Sequence, residues 1–240
     1  MAILPQPVRS LTPARVRDDV RLRAFAVALG LIPPRTMHSH DDARVLLDTA
    51  RGAQRVVEIG VYEGASALML QRALGRGAQL HLIDPFGRHP DALPGGWGAS
   101  ERATRRLVSR AGRRLGEACP DVHWHAALSH DVAASWSGEV DLVFIDGDHS
   151  EAGCEIDWLD WSALVSRGGH VVFHDAREDQ PGGRGLPGPT AVVARHLRGA
   201  GAGEWTIVDE ADRTVAARRN GGAGAPAAGK LDPAEPGQTA

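Results

Sequence analysis

A chain of 240 residues with a 42% hydrophobic share can enclose one sizeable core, and a formal net charge of -3 (27 Lys+Arg, 30 Asp+Glu) gives no general electrostatic reason to bind nucleic acid or an anionic membrane. The only lysine, Lys230, lies in the last stretch of the chain, which excludes a Walker-type phosphate lysine or a Schiff-base lysine in the folded body. Cys119 and Cys154 are far apart and form no CxxC pair, so a reducing cytoplasm is the expected setting, and the apolar run Ala24 to Ile32 is too short to span a bilayer.

In chain order, the Pro-rich residues 1–12 read as loose. Residues 13–30 suit a helix with Val16, Val20, Leu22, Phe25, Ala26 and Leu29 on or near its apolar face, ended by Ile32-Pro33-Pro34. A second helix is expected over Asp41 to Ala50. Strands and helices then alternate. The expected strands are Arg55–Ile59, Gln79–Ile83, Val122–Ala126, Asp141–Ile145 and His170–His174. The expected helices are Ala65–Leu74, Ser100–Ala118, Asp131–Trp136, Ser150–Val165 and Thr190–Leu197. Trp205–Val208 and Thr214–Arg218 form a terminal hairpin around Glu210-Ala211-Asp212. This order predicts an α/β fold: a Rossmann-like, doubly wound, mostly parallel seven-stranded sheet with an antiparallel last strand. The expected organisation is a helical cap over residues 1–50, a cofactor-binding domain over 51–219, and a tail over 220–240 with the composition of a disordered segment. Two long Gly/Pro-rich loops, Pro85–Ala99 and Arg177–Pro189, follow strand ends and suit lids or insertions; Trp97 lies in the first.

Chemistry concentrates at strand carboxyl ends, where ligands bind in open α/β sheets. The runs VDLVFID and GGHVVFHD each end in an acid, Asp146 and Asp175, and two such carboxylates from neighbouring strands suit a divalent cation. His149, three residues after Asp146, is within reach as a general base or, alternatively, as a helix cap. The first strand runs into Glu58-Ile59-Gly60-Val61-Tyr62-Glu63-Gly64-Ala65-Ser66. Tyr62 breaks the G-x-G-x-x-G dinucleotide pattern, so Gly60 and Gly64 read equally as a ligand cradle or a tight packing turn. Asp84 reads as a ribose acceptor or as a cap on Phe86-Gly87. Glu58 and Glu63 disfavour a diphosphate and tolerate a cationic sulfonium. Asp157 and Asp160 read as a solvated helix face beside packed Trp158 and Trp161, and Arg102, Arg105, Arg106, Arg110, Arg113 and Arg114 as another solvated face.

The ordered set VVEIGVYEG, LHLID, ALSHD, VFIDGDHS and GGHVVFHD, spanning residues 55–176, resembles the class I S-adenosylmethionine-dependent methyltransferases. Within them it is similar to the metal-dependent small-molecule O-methyltransferases, of the catechol type and of the bacterial natural-product and sugar-modifying type. The resemblance implies methyl transfer from S-adenosyl-L-methionine to a hydroxyl of a small acceptor (sugar, phenol or natural-product intermediate), with a divalent cation such as Mg²⁺ and assembly as a homo-oligomer. It implies that Gly60 and Gly64 line the methionine part, Ser66 lies near its carboxylate, and Glu58 lies beneath the cofactor. Asp84 would hold the ribose, Ser129 and His130 would flank the adenine, and Met37 would approach from the amino-terminal side. Asp146 would face both cofactor and cation, and Asp175 would be the second metal ligand. For the third, His174 and Ala176 stand where relatives carry an acid or an amide, and His174 could coordinate. His149 stands where catechol-type relatives carry lysine, which favours it as base. The competing readings are an NAD(P)-dependent Rossmann oxidoreductase and a non-catalytic scaffold that keeps the fold.

Overall fold

The structure, a computed structural model, describes residues 19–87 and 99–221. Trp97, Val16, Lys230 and almost all of the 220–240 segment lie outside the described residues.

Helix α1 (Val20–Leu29) is capped by Asp19, whose side chain accepts from Arg21 N and Leu22 N, and ends at left-handed Gly30. Helix α2 (His40–Ala50) begins with a capping box between Ser39 and Asp42. The core alternates β1 (Arg55–Ile59), α3 (Ala65–Ala73), β2 (Gln79–Ile83), α4 (Glu101–Leu115), β3 (Asp121–His125), α5 (Ser129–Ala134), β4 (Val140–Ile145), α6 (Glu151–Ser162), β5 (Val165–Phe173) and α7 (Pro187–Val193). A π-helical turn over Ala194–Arg198 then leads to β6 (Trp205–Ala211) and β7 (Thr214–Arg219).

The seven strands run in the order β3-β2-β1-β4-β5-β7-β6. The first five pair in parallel, and β7 is antiparallel to both β5 and β6. The expected topology therefore holds, with one refinement. The reversed strand β7 lies inside the sheet, and β6, which runs with the parallel set, forms the edge. β6 is also longer than its apolar run suggests: a bulge between Ile207 and Asp209 lets it continue to Ala211, so the turn shrinks to Asp212-Arg213.

Both sheet faces are covered, which is why the strands read as unbroken apolar runs. Val57, Ile59, Val143, Ile145, Val171 and Phe173 pack with Trp158 and Trp161 of α6 and with Val192 of α7. The alternate residues Val56, Leu80, Leu82, Leu142, Phe144 and Val172 pack with Leu46 of α2, Leu70 of α3 and Val108 of α4. The chain winds from β1 out to β2 and β3 on one side and then crosses back to β4 on the other, so the crevice at the carboxyl ends of β1 and β4 is the sheet's switch point.

Two helix faces differ from expectation. On α1, Leu22, Phe25 and Leu29 are exposed, whereas Arg23, Ala26 and Val27 are buried. The helix is turned by Arg23, which reaches inward to Glu63, and by Arg110 of α4, which donates to the Ala28 carbonyl. On α6, Asp157 is buried with Cys154, Trp158 and Trp161, while Ile156 and Leu159 are exposed. Residues 154, 157, 158 and 161 share one helical face, so Asp157 enters the core by position. Burial pushes its carboxyl up to about 7, against the opposing hydrogen bond from Ser129. The arginine helix is likewise not wholly solvated: Arg105 pairs with Glu101 and lies over Trp124, 4.9 Å from the ring centre.

At the other end of the sheet, His81 on β2 stacks on His123 of the edge strand, and its Nδ1 lies 3.1 Å from His125 Nε2. Burial, then the neighbouring His123, His125 and Arg55, lower its pKa to about 4. Because the native state favours neutral His81, its contribution is full above the unfolded pKa near ~6.5 and is lost as pH falls towards 4. Urea titrations at pH 7.5 and 4.5 are expected to show wild-type protein losing on the order of 2 kcal/mol more than His81→Leu. Equal losses would show that His81 is not the acid-sensitive group.

Candidate active site

Strand register assembles the site. Ile83, Ile59, Ile145 and Phe173 are aligned across β2, β1, β4 and β5. The next residue on each strand is Asp84, Gly60, Asp146 and His174, so these four leave the sheet at one level. Backbone bonds carry the ladder one step further: Gly60 N to Ile83 O, Asp146 N to Ile59 O, and His174 N to Ile145 O. Asp175 follows in a left-handed conformation (φ 53), which turns the chain out of the strand.

The glycine turn is held by carboxylates. Asp84 accepts from Val61 N (3.0 Å) and Tyr62 N (2.7 Å) through one oxygen and from Phe86 N (2.6 Å) through the other. The cap on Phe86 expected as an alternative to ribose binding is thus present, and the same carboxylate also fixes the turn. A Cβ on Gly60 (φ +89) would overlap the Asp146 carbonyl and approach the Gly147 Cα at 2.8 Å. The turn and the β4 end are therefore in backbone contact, and glycine is required there. Gly64 (φ 85) starts α3 in the left-handed region.

Glu58 is fully buried and hydrogen-bonded to Ser66 Oγ; burial raises its pKa well above the usual range, and the nearby Asp146 and Asp84 add to the effect. Ser66 is therefore turned into the core towards Glu58. Glu63 is matched by a bidentate Arg23 (2.6 Å to each oxygen) and by Arg35 N (2.6 Å). The negative field expected from Glu58 and Glu63 is consequently weakened: burial disfavours the charged form of the first, and an arginine from α1 pairs with the second. At the edge of the crevice, Ser129 bonds Asp157, and exposed His130 pairs with Asp160 at 2.9 Å. Met37 is 48% exposed; its neighbour His38 is the residue that enters the site.

The acid and histidine residues converge. Asp146 Oδ1 lies 3.0 Å from His174 Nδ1 and 3.2 Å from His149 Nε2, and Asp146 Oδ2 lies 3.5 Å from His38 Nε2. Asp175 Oδ2 lies 3.6 Å from His174 Nδ1 and 3.9 Å from His149 Nε2, while its other oxygen accepts from Arg213 at 3.0 Å. Behind His174, Asp42 accepts from Arg213 N, Thr214 Oγ1 and Ser39 N. Burial opposes ionisation of Asp146, but the three histidines outweigh it and hold its carboxyl well below the usual range. Burial likewise disfavours charge on His174, yet Asp146, Asp42 and Asp175 lift it to about 10. The helix-cap role weighed for His149 falls to Ser150, whose Oγ accepts from Gly153 N.

His38, Asp42 and Arg213 were absent from the sequence-based set. Ser39-x-x-Asp42 carries a capping-box spacing that marks the start of α2, and that start is what presents His38 inward. Arg213 had no such signal, because its place depends on β7 lying beside β5.

The model of a methyltransferase domain family matches residues 57–176, from within β1 to just past Asp175. Among solved structures, the O-methyltransferase TomG from Streptomyces achromogenes, involved in tomaymycin synthesis and solved with SAM, is similar at 20% identity and a TM-score of 0.54, covering 89% of this chain and 94% of that one. The O-methyltransferase from Bacillus cereus, solved with SAH, is similar at 16% identity and a TM-score of 0.55, covering 90% and 96%. At these identities the likeness carries the fold. Among the described residues no helix is long and apolar enough to cross a membrane.

Proposed function

The chain belongs to the methyltransferase domain family and is a methyltransferase; from that premise we propose that it transfers the methyl group of S-adenosyl-L-methionine to a hydroxyl of a small molecule, with a divalent cation beside the acceptor. The observation that carries this reading is the backbone contact between Gly60 and Asp146. It sets a glycine cradle, with Asp84 bonded to it, against the acid and histidine cluster. The cofactor and the metal-held acceptor would then share one crevice, as in-line displacement requires.

The residues present fit a cation. Asp146 and Asp175 supply oxygens, and His174 Nδ1 faces both, 3.0 Å from Asp146 Oδ1 and 3.6 Å from Asp175 Oδ2. Asp146, Asp175 and His174 would hold the ion, which would lower the pKa of an acceptor hydroxyl and orient it. Gly60, Gly64 and the Asp84 carboxylate would seat the cofactor's amino-acid and ribose parts, with Ser129 and His130 near the base. The shared duties of Asp84 are compatible with this, since each carboxylate oxygen accepts more than one hydrogen bond.

His149 Nε2 would take the acceptor's proton. Burial lowers its pKa, but Asp146 and Asp175 raise it further, so the free site holds the ring above the ordinary imidazole range. Neutralising those carboxylates returns the ring to the range in which it accepts a proton near neutral pH. The oxidoreductase reading is not favoured: Tyr62 stands at φ 52 where a dinucleotide turn needs a glycine.

The test is S-adenosylhomocysteine titration together with methyl transfer to a panel of sugars, phenols and catechols, with and without a strong chelator. Binding, and transfer abolished by the chelator, are expected. Under restored metal, His149→Gln is expected to lower kcat about a hundredfold or more and to remove the acidic limb of the pH profile. An unchanged profile would take His149 out of the base role, and absence of cofactor binding would remove the proposal itself.

A further inference from the structure

The cation site is richer in nitrogen than two strand-end aspartates would make it. His38 comes from the segment between α1 and α2, and its side chain is only 6% exposed. Neither of its ring nitrogens has a hydrogen-bond partner among the described residues. The ring packs on His174, 4.3 Å between centres, and on Phe144 at 5.8 Å. A buried imidazole with both nitrogens unsatisfied is costly, and one of them, Nε2, lies 3.5 Å from Asp146 Oδ2. We propose that His38 and His174 join Asp146 and Asp175 as ligands, so that the centre takes a borderline transition ion (the Mn²⁺ to Zn²⁺ series) in preference to Mg²⁺.

This inference rests on the cation reading above and goes further by naming the ligand from the amino-terminal segment and the class of ion. Donor atoms of His38, Asp146 and His174 all lie within 4.8 Å of one another, and so do those of His149, His174 and Asp175. Neighbouring ligands in an octahedral shell of about 2.1 Å radius are about 3 Å apart. His174 Nδ1 lies 3.0 Å from Asp146 Oδ1 and 3.6 Å from Asp175 Oδ2, and His38 Nε2 lies 3.5 Å from the other Asp146 oxygen, separations close to that size. Asp42 lies 3.9 Å from His174 Nε2, on the far side of the ring from Asp146 and Asp175. A carboxylate behind a histidine in this way orients ligating imidazoles. Imidazole favours Zn²⁺, Fe²⁺, Co²⁺ and Ni²⁺, whereas Mg²⁺ holds to oxygen ligands and its own water. The rival account makes the histidines plain ion-pair partners of the aspartates. It leaves His38 Nδ1 buried without a partner and gives Nε2 only a 3.5 Å contact with Asp146.

Untagged full-length protein is stripped of metal and titrated calorimetrically with Co²⁺ and with Mg²⁺, and X-ray absorption of the Co²⁺ form counts the imidazoles. Binding of Co²⁺ at least about a hundredfold tighter than Mg²⁺, with two or more imidazoles in the shell, is expected. His38→Gln is expected to lose one imidazole and about tenfold or more in Co²⁺ affinity. An all-oxygen shell, equal affinity for the two ions, or an unchanged imidazole count in His38→Gln would overturn the assignment. The wild-type absorption spectrum reads the ligand set even if the variant folds poorly. S-adenosylhomocysteine titration of the same sample reads the transfer function separately: failure there, with imidazole-bound Co²⁺, sinks the cofactor reading and leaves this one standing.

Discussion

Asp146→Asn is expected to cut methyl transfer by about a thousandfold, the scale on which removing one preorganised charge from a reacting centre is felt. Three histidines face this one carboxylate, and its pKa is held down by their contacts. The amide keeps the shape and removes the charge, so the variant should lose cation affinity while the sheet survives. Its neighbours should respond as well. His174 owes its raised pKa in large part to Asp146, so in the variant it should titrate nearer the ordinary imidazole value, visible in its ring proton resonances. Turnover within a few-fold of wild type would refute both the cation site and the role of Asp146.

Gly60→Ala should be the most damaging of the small substitutions. The residue sits at φ +89, where a Cβ is strained, and that Cβ would strike the backbone of Asp146 and Gly147 rather than a movable side chain. We expect at least about 3 kcal/mol of lost stability, or a displaced turn with no measurable S-adenosylhomocysteine binding. Gly64→Ala is the control. Its φ is +85, but its Cβ would meet only the Thr104 methyl at 3.1 Å and Val108 at 3.4 Å, so a loss of about 1–2 kcal/mol is expected. Equal effects at the two positions in urea unfolding would mean that strain alone, and not the contact between β1 and β4, sets the cost.

The strands β1 and β2 were legible to the residue because a run covered on both faces has no polar interruption. Helix faces were not, because α1 and α6 each bury a charged residue, Arg23 and Asp157, whose partners Glu63 and Ser129 come from elsewhere in the chain. Glu58 and Glu63 illustrate the same limit. As letters they are two negative charges, but in the fold burial disfavours the charge on one and a distant arginine pairs with the other.

The sequence by itself determined the alternation of strand and helix, the reversed final strand, and the placing of Gly60, Asp84, Asp146, His149, His174 and Asp175 at or just after strand ends, since all of these are fixed by local pattern. Only the tertiary structure decided that His38, Asp42 and Arg213 belong to the same centre. They reach it from α2's entrance and from β7, elements separated from β4 and β5 in the chain, and such contacts exist only once the sheet order is set.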